Sequence, residues 1–182
     1  MSDAVPVLTT ERLILRGFTA ADFDAFAAIW GDATVVRHIS GTPSSRSESW
    51  SRLLRLAGGW SLLGYGYWAV EEAASGRLAG MAGLADFKRE IGADIAGLPE
   101  AGWVFSPDFH GKGYATEAMG AGLSWADAAL EADKSCCLID PDNAASINVA
   151  EKLGYGDRFS APFGDGETLV FFRARGGPDT DA

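Results

Sequence analysis

The chain has 182 residues, 47% of them hydrophobic, which suits one packed core and excludes a string of several domains. A chain of this length buries about 70% of the surface that its unfolded form exposes, so no disulfide or metal staple is required. With 25 acidic against 15 basic side chains the net charge is −10, which argues against nucleic acid or an anionic membrane as partner, because both call for clustered Lys and Arg.

Arg12–Arg16 opens the predicted elements as a short apolar strand. Thr19, with Asp22 three residues on, forms a capping box for a helix whose buried face is Phe23, Phe26, Ala27 and Trp30, and Gly31 ends it. Trp50, Leu53, Leu54 and Ala57 repeat the same spacing, predicting a second helix stopped by Gly58-Gly59. Tyr67–Glu71 and 77–84 read as two strands joined by a turn at Ser75-Gly76. The stretch 85–99, with Gly92, Gly97 and Pro99, reads as a loop long enough to be functional or disordered. Residues 101–105 form a short strand, and Tyr114 to Leu130 a helix with Ala115, Met119, Gly122, Ala126 and Ala129 along one face.

Cys136–Ile139 is a continuous apolar run, as expected of a strand covered on both faces. Its adjacent cysteines, Cys136 and Cys137, lack any metal-ligand spacing and read as buried residues in a reducing compartment. A helix from Asn143 to Leu153, stopped by Gly154, precedes two strands near 155–159 and 168–172. The order β-α-α-β-β-β-α-β-α-β-β describes an α/β (α+β) domain, a mixed sheet of about seven strands flanked by about four helices. Residues 1–175 read as a single domain and 176–182 as a disordered tail without an apolar anchor. The opening MSDAVPVLTTERL is acidic and polar where a secretion signal needs a basic start, and no apolar run approaches the roughly 20 residues of a membrane span. The expectation is a soluble, cytoplasmic protein.

Chemistry concentrates in residues 103–119, WVFSPDFHGKGYATEAM, where a strand leads through Gly111-Lys112-Gly113 directly into a helix. Free N–H groups in a first helical turn can hold an anion, and glycines ahead of it remove the Cβ atoms that would keep a phosphate off the backbone. Taken alone, the same residues read equally well as a plain strand–loop–helix connection. Two nucleotide signatures fail: a dinucleotide fingerprint needs glycine where Thr116 stands, and a Walker loop needs Ser or Thr where Gly113 stands.

The segment resembles the signature of the GNAT superfamily of acyl-CoA N-acyltransferases, Gln/Arg-x-x-Gly-x-Gly/Ala, which reads here His110-Gly111-Lys112-Gly113-Tyr114-Ala115. GYATEAM, the downstream PDNAASINVAEKLGY (141–155) and the opening TERLILRGFTAADF (10–23) are similar to the RimJ/RimL-like branch, which acetylates ribosomal-protein N-termini. The resemblance spans about residues 9–172, and His110 departs from the usual Gln or Arg.

The resemblance implies a GNAT fold splayed between its fourth and fifth strands (101–105 and 136–139), acetyl-CoA as cosubstrate, no metal, and direct attack by a primary amine in a ternary complex. That amine is either a protein N-terminal α-amine or a small-molecule amine. It implies further that the backbones of Val104 and Phe105 meet the pantetheine arm and that His110, Gly111, Lys112, Gly113, Tyr114, Ala115 and Thr116 hold the diphosphate. Asn143 would bond the pantetheine and Ser146 protonate the leaving thiolate, although an Asn N-cap and a first-turn Ser are also ordinary helix starts. Glu100, just before the strand, is the candidate general base. His38 receives no role, and Trp60, Tyr65, Tyr67 and Trp68 read as core, with room for one ring to line the acceptor slot. The acceptor pocket is expected from residues 31–66 and 85–99, in a monomer or homodimer. The rival expectations are a non-catalytic acyl-CoA-binding regulatory module and an enzyme of another phosphate ligand such as NAD or ATP.

Overall fold

The chain forms eight strands, the central ones continuously buried: β1 (Leu8–Thr9), β2 (Leu13–Arg16), β3 (Tyr67–Glu72), β4 (Leu78–Ala85), β5 (Glu100–Phe105), β6 (Lys134–Ile139), β7 (Gly156–Phe163) and β8 (Gly166–Ala174). Five helices accompany them: α1 (Phe23–Trp30), α2 (Ala33–Val36), α3 (Arg46–Leu63), α4 (Tyr114–Ala129) and α5 (Ala144–Lys152). These elements come from a computed structural model that describes residues 5–91 and 93–177. All strands share one sheet in the order β1-β2-β3-β4-β5-β6-β8-β7, and every neighbouring pair is antiparallel except β5 with β6.

The count exceeds the expected seven strands and four helices by one each, for a common reason. β1 is two residues long and α2 four, and neither is long enough to print a period in the sequence. α2 exists because Asp32 caps it, accepting from the N–H groups of Thr34 and Val35. Residues 178–182 of the expected tail lie outside the described residues.

Helix α3 corrects two expectations. It runs through Gly58-Gly59 and ends at Leu63, where Gly64 takes a left-handed φ of +75°. Two interior glycines cost about 1 kcal/mol each relative to alanine; a Ser45/Glu48 capping box and the packing of Trp60 against the core offset them. Its buried line is Ser49, Leu53 and Leu56, whereas Trp50 and Leu54 are exposed. On α4 the buried residues are Tyr114, Ala118, Met119, Gly122, Leu123 and Ala126, and the expected Ala129 is exposed.

The sheet is covered on both faces. One face packs Leu13, Leu15, Trp68, Val70 and Phe171 against Met119 and Leu123 of α4 and Ala150 of α5. The other packs Tyr67 and Met81 against Phe26, Ile29 and Trp30 of α1 and Leu53 and Leu56 of α3. Each such large apolar side chain contributes about 1.5–3 kcal/mol on burial. α4 and α5 follow the two parallel strands, so both helix N-termini lie at the same sheet end.

Candidate functional site

β5 and β6 share a single register pair, Glu100 with Cys136, next to the bond from Cys136 N–H to Pro99 O (3.0 Å). Beyond it the two strands part. Ser106 N–H donates to Ala79 O (2.9 Å), and this fixes the alternation along β4 and β5: residues 100, 102 and 104 exchange bonds with β4, while 101, 103 and 105 turn theirs toward β6. In the same way Arg175 N–H on Asp133 O (2.8 Å) leaves the backbone of Cys136 and Leu138 facing β5. The gap is therefore lined by backbone groups of Trp103, Phe105 and Leu138. Val104, expected to touch a ligand arm here, has its backbone committed to Met81 instead.

At the open end of β5 the chain turns through Gly111 and Gly113 into α4. Gly111 (φ +71°) and Gly113 (φ +78°) both sit in the left-handed region, and Gly113 is the N-cap of α4 without any side-chain cap. Among the described residues, none of the backbone N–H groups of 111–116 donates to an acceptor in the protein. A Cβ at Gly111 would meet nothing within 4 Å, so the concavity is open. Consecutive unpartnered N–H groups at a helix start form an anion-binding nest. Lys112 Nζ rests 4.9 Å from the centre of the Phe109 ring, adding a cation at the rim. His110 does not face the cradle: its Nε2 bonds the carbonyl of Phe105 at 2.8 Å, donating, since a carbonyl only accepts.

Four residues that sequence reasoning passed over, Thr10, Arg12, Glu72 and Glu117, hold the cradle in place. Glu117, in the first turn of α4, accepts from Thr10 Oγ1 (2.6 Å), Arg12 N–H (2.9 Å) and Arg12 Nε (2.7 Å). Arg12 Nη1 also donates to Lys112 O (2.9 Å), and Tyr114 Oη donates to Glu72 Oε1 (2.7 Å). Burial pushes the Glu117 carboxyl upward, and the bonds from Thr10 and Arg12 outweigh it, holding the group below its ordinary range and ionised. Arg12 and Glu117 are 105 residues apart, so no local spacing announces the pair.

α5 starts beside the same gap. Asn143 is its N-cap, with Oδ1 accepting from Ser146 N–H at 3.1 Å. That bond occupies one oxygen; among the described residues Asn143 Nδ2 and Ser146 Oγ have no partner.

The sheet face of α1 and α3 carries the remaining titratable groups. Glu100 is the first residue of β5 rather than a loop residue, and it is buried in a bidentate pair with Arg89 (Nε–Oε2 2.6 Å, Nη2–Oε1 2.8 Å). An amine or its water would have to compete with the Arg89 guanidinium for both carboxylate oxygens, which weighs against the general-base expectation. Glu100→Gln is expected to cost about 2 kcal/mol of stability, below the 3–5 of a fully buried broken pair, and to lower turnover less than tenfold. Thermal melting beside steady-state rates checks it; a hundredfold rate loss at unchanged melting temperature would restore Glu100 as the base. Cys136, behind Glu100, has its thiol pushed up to about 12 by burial and is inert. His38 Nδ1 lies 3.5 Å from Asp140 Oδ2 at the end of β6.

The chain matches the family model described as an acetyltransferase (GNAT) domain over residues 12–156. It is 31% identical over 152 residues to the uncharacterized protein YkkB of Bacillus subtilis, covering 81% of this chain and 83% of that one. Among solved structures, a Bordetella pertussis protein assigned to the GnaT-family acetyltransferases superposes with a TM-score of 0.83 at 28% identity, covering 93% and 100% of the two chains. Two more distant structures share the fold. One is spermidine N-acetyltransferase from Vibrio cholerae in complex with CoA and spermine (17% identity, TM-score 0.71, 92% and 98% covered). The other is the ribosomal L7/L12 alpha-N-protein acetyltransferase RimL in complex with coenzyme A (15% identity, TM-score 0.74, 93% and 98% covered).

Proposed function

This chain belongs to the GNAT acetyltransferase family, and from that premise we propose that it moves an acetyl group from acetyl-CoA to a primary amine by direct attack in a ternary complex. The observation that carries the reading is the run of unpartnered N–H groups at 111–116, beside two strands that part after one pair. The cradle fits a diphosphate: it is concave, built of main chain, and any side chain at 113 would have to occupy the left-handed region.

Acetyl-CoA supplies the activated acyl carbon, and this chain supplies position, charge and protons. Gly111 to Thr116 bind the diphosphate, with Lys112 as the rim cation. Trp103 and Phe105 present backbone groups along the gap where the pantetheine arm lies, and the N–H of Trp103 polarises the thioester carbonyl. Asn143 Nδ2 bonds the arm from the other side, and Ser146 Oγ protonates the departing thiolate. No cysteine nucleophile enters, in keeping with the buried, inert Cys136 and Cys137.

The acceptor we favour is a protein N-terminal α-amine, the RimJ/RimL-like reading. With Glu100 tied to Arg89, the amine must shed its proton cheaply. An α-amine of pKa near 7.8 costs about 1 kcal/mol to deprotonate at pH 7, a lysine-type amine near 10.4 about 4.6. Water beside Glu100 suffices for the former. The test is release of CoA thiol from acetyl-CoA with alanine- and serine-starting peptides and with spermidine. Peptide-dependent release is expected. Release with spermidine alone would move the acceptor to small polyamines, and CoA binding without release from any acceptor would leave an acyl-CoA-binding module in place of an enzyme.

A further inference from the structure

Tyr67 of β3 is only 8% exposed, its ring packed among the α1 and α3 residues and 6.3 Å from the Phe87 ring. Its hydroxyl has no hydrogen-bond partner among the described residues. A phenol that buries its ring yet leaves its hydroxyl unmatched is set for a ligand.

The position of that hydroxyl is specific. A Cβ on Gly102 would collide with Tyr67 Oη, so glycine at 102 is what lets the hydroxyl come down onto β5. Gly102 immediately precedes Trp103, whose N–H turns into the gap. Burial, followed by the nearby Glu100 carboxylate, raises the phenol above its ordinary pKa, against smaller opposing effects of Arg89 and Arg55. The group therefore stays O–H, a donor, through neutral and mildly alkaline pH.

We infer that Tyr67 is a catalytic residue, its hydroxyl acting with the Trp103 N–H as a two-donor hole for the thioester oxygen as negative charge gathers on it. This rests on the acetyltransferase reading above. The amine lone pair forms the new N–C bond while the carbonyl π pair moves to oxygen, where both donors hold it without giving up a proton. Return of that pair breaks the C–S bond and leaves the electrons on sulfur. The nitrogen loses one proton to water, the thiolate takes one from Ser146 Oγ, and water returns a proton to that oxygen, so no net proton is gained or lost.

Tyr67→Phe removes one oxygen and keeps the ring. The expected result is a kcat about a hundredfold lower, as for loss of one oxyanion donor, with melting temperature and CoA affinity unchanged. A second reading needs no acceptor: the infrared carbonyl stretch of bound [1-13C]acetyl-CoA should rise in the variant, because one polarising donor is gone. Wild-type turnover matched within threefold by Tyr67→Phe, or an unchanged carbonyl stretch, overturns the inference and leaves the acetyltransferase reading standing. Failure of the wild type to release thiol with any of the three acceptors overturns both.

Discussion

Gly113→Val is expected to weaken CoA binding at least tenfold, and by more than His110→Ala. Valine at φ +78° carries strain of about 1–3 kcal/mol, and relief of that strain turns the N–H groups of 113–115 out of the cradle. Each charge-assisted bond lost is worth about 1.5–3 kcal/mol, so two of them exceed a factor of ten. His110→Ala removes a ring bonded to Phe105 O and leaves the cradle backbone unchanged, so a loss below threefold is expected. Titration calorimetry with CoA reads both variants. Equal losses, or the reverse order, would mean that the imidazole and not the backbone holds the phosphates.

The second large effect is one of stability. Trp68 is fully buried, with its ring centre 4.7 Å from that of Trp60 and 5.4 Å from that of Trp125 on α4. Gly122 of α4 lies against it so closely that a Cβ there would be 3.2 Å from the indole. Its Nε1 donates to Pro6 O at 2.8 Å, tying the N-terminal segment to the sheet. Trp68→Ala empties this layer and is expected to cost about 3–5 kcal/mol. For a chain of this size that is a melting point lower by roughly 6–20 °C. Calorimetry decides it; a shift under 3 °C would show that α4 settles into the void. Trp68→Phe, which keeps a ring and loses the Pro6 bond, should fall in between.

Much of this fold was legible because its signals are local. Phe23, Phe26, Ala27 and Trp30 sit one helical period apart and form α1, of which Phe26, Ala27 and Trp30 are buried. Asn143 caps α5 as its residue type suggests, and Gly111 and Gly113 both occupy the left-handed region that glycine favours. What was not legible depends on residues far apart in the chain. The face of α3 was misassigned because Trp50 is apolar yet packs edge-on to Phe23 at the surface, while the buried line includes the polar Ser49. Glu100 looked like a free loop carboxylate because Arg89 reaches it only once the loop between β4 and β5 has folded back. The choice between Val104 and Trp103 as the gap-facing backbone rests on strand register, and register is set by partners rather than by sequence.

The parting of β5 from β6 has a mechanical side. One backbone pair joins the five-strand half of the sheet to its three-strand half, so the molecule carries a pair of strand edges in its own middle. Outward-facing edges are blunted by charge, bulges or brevity, because unmatched donors and acceptors invite an added chain. This one faces inward, and the guest it admits under the proposed reading is the amide-bearing arm of acetyl-CoA, spliced into the sheet in place of a strand. Occupancy and cohesion then become one variable: at a hundredfold excess over Kd, ligand adds about 2.7 kcal/mol to folding. Cellular levels of CoA would set how firmly the two halves hold together as well as how fast acetyl groups move.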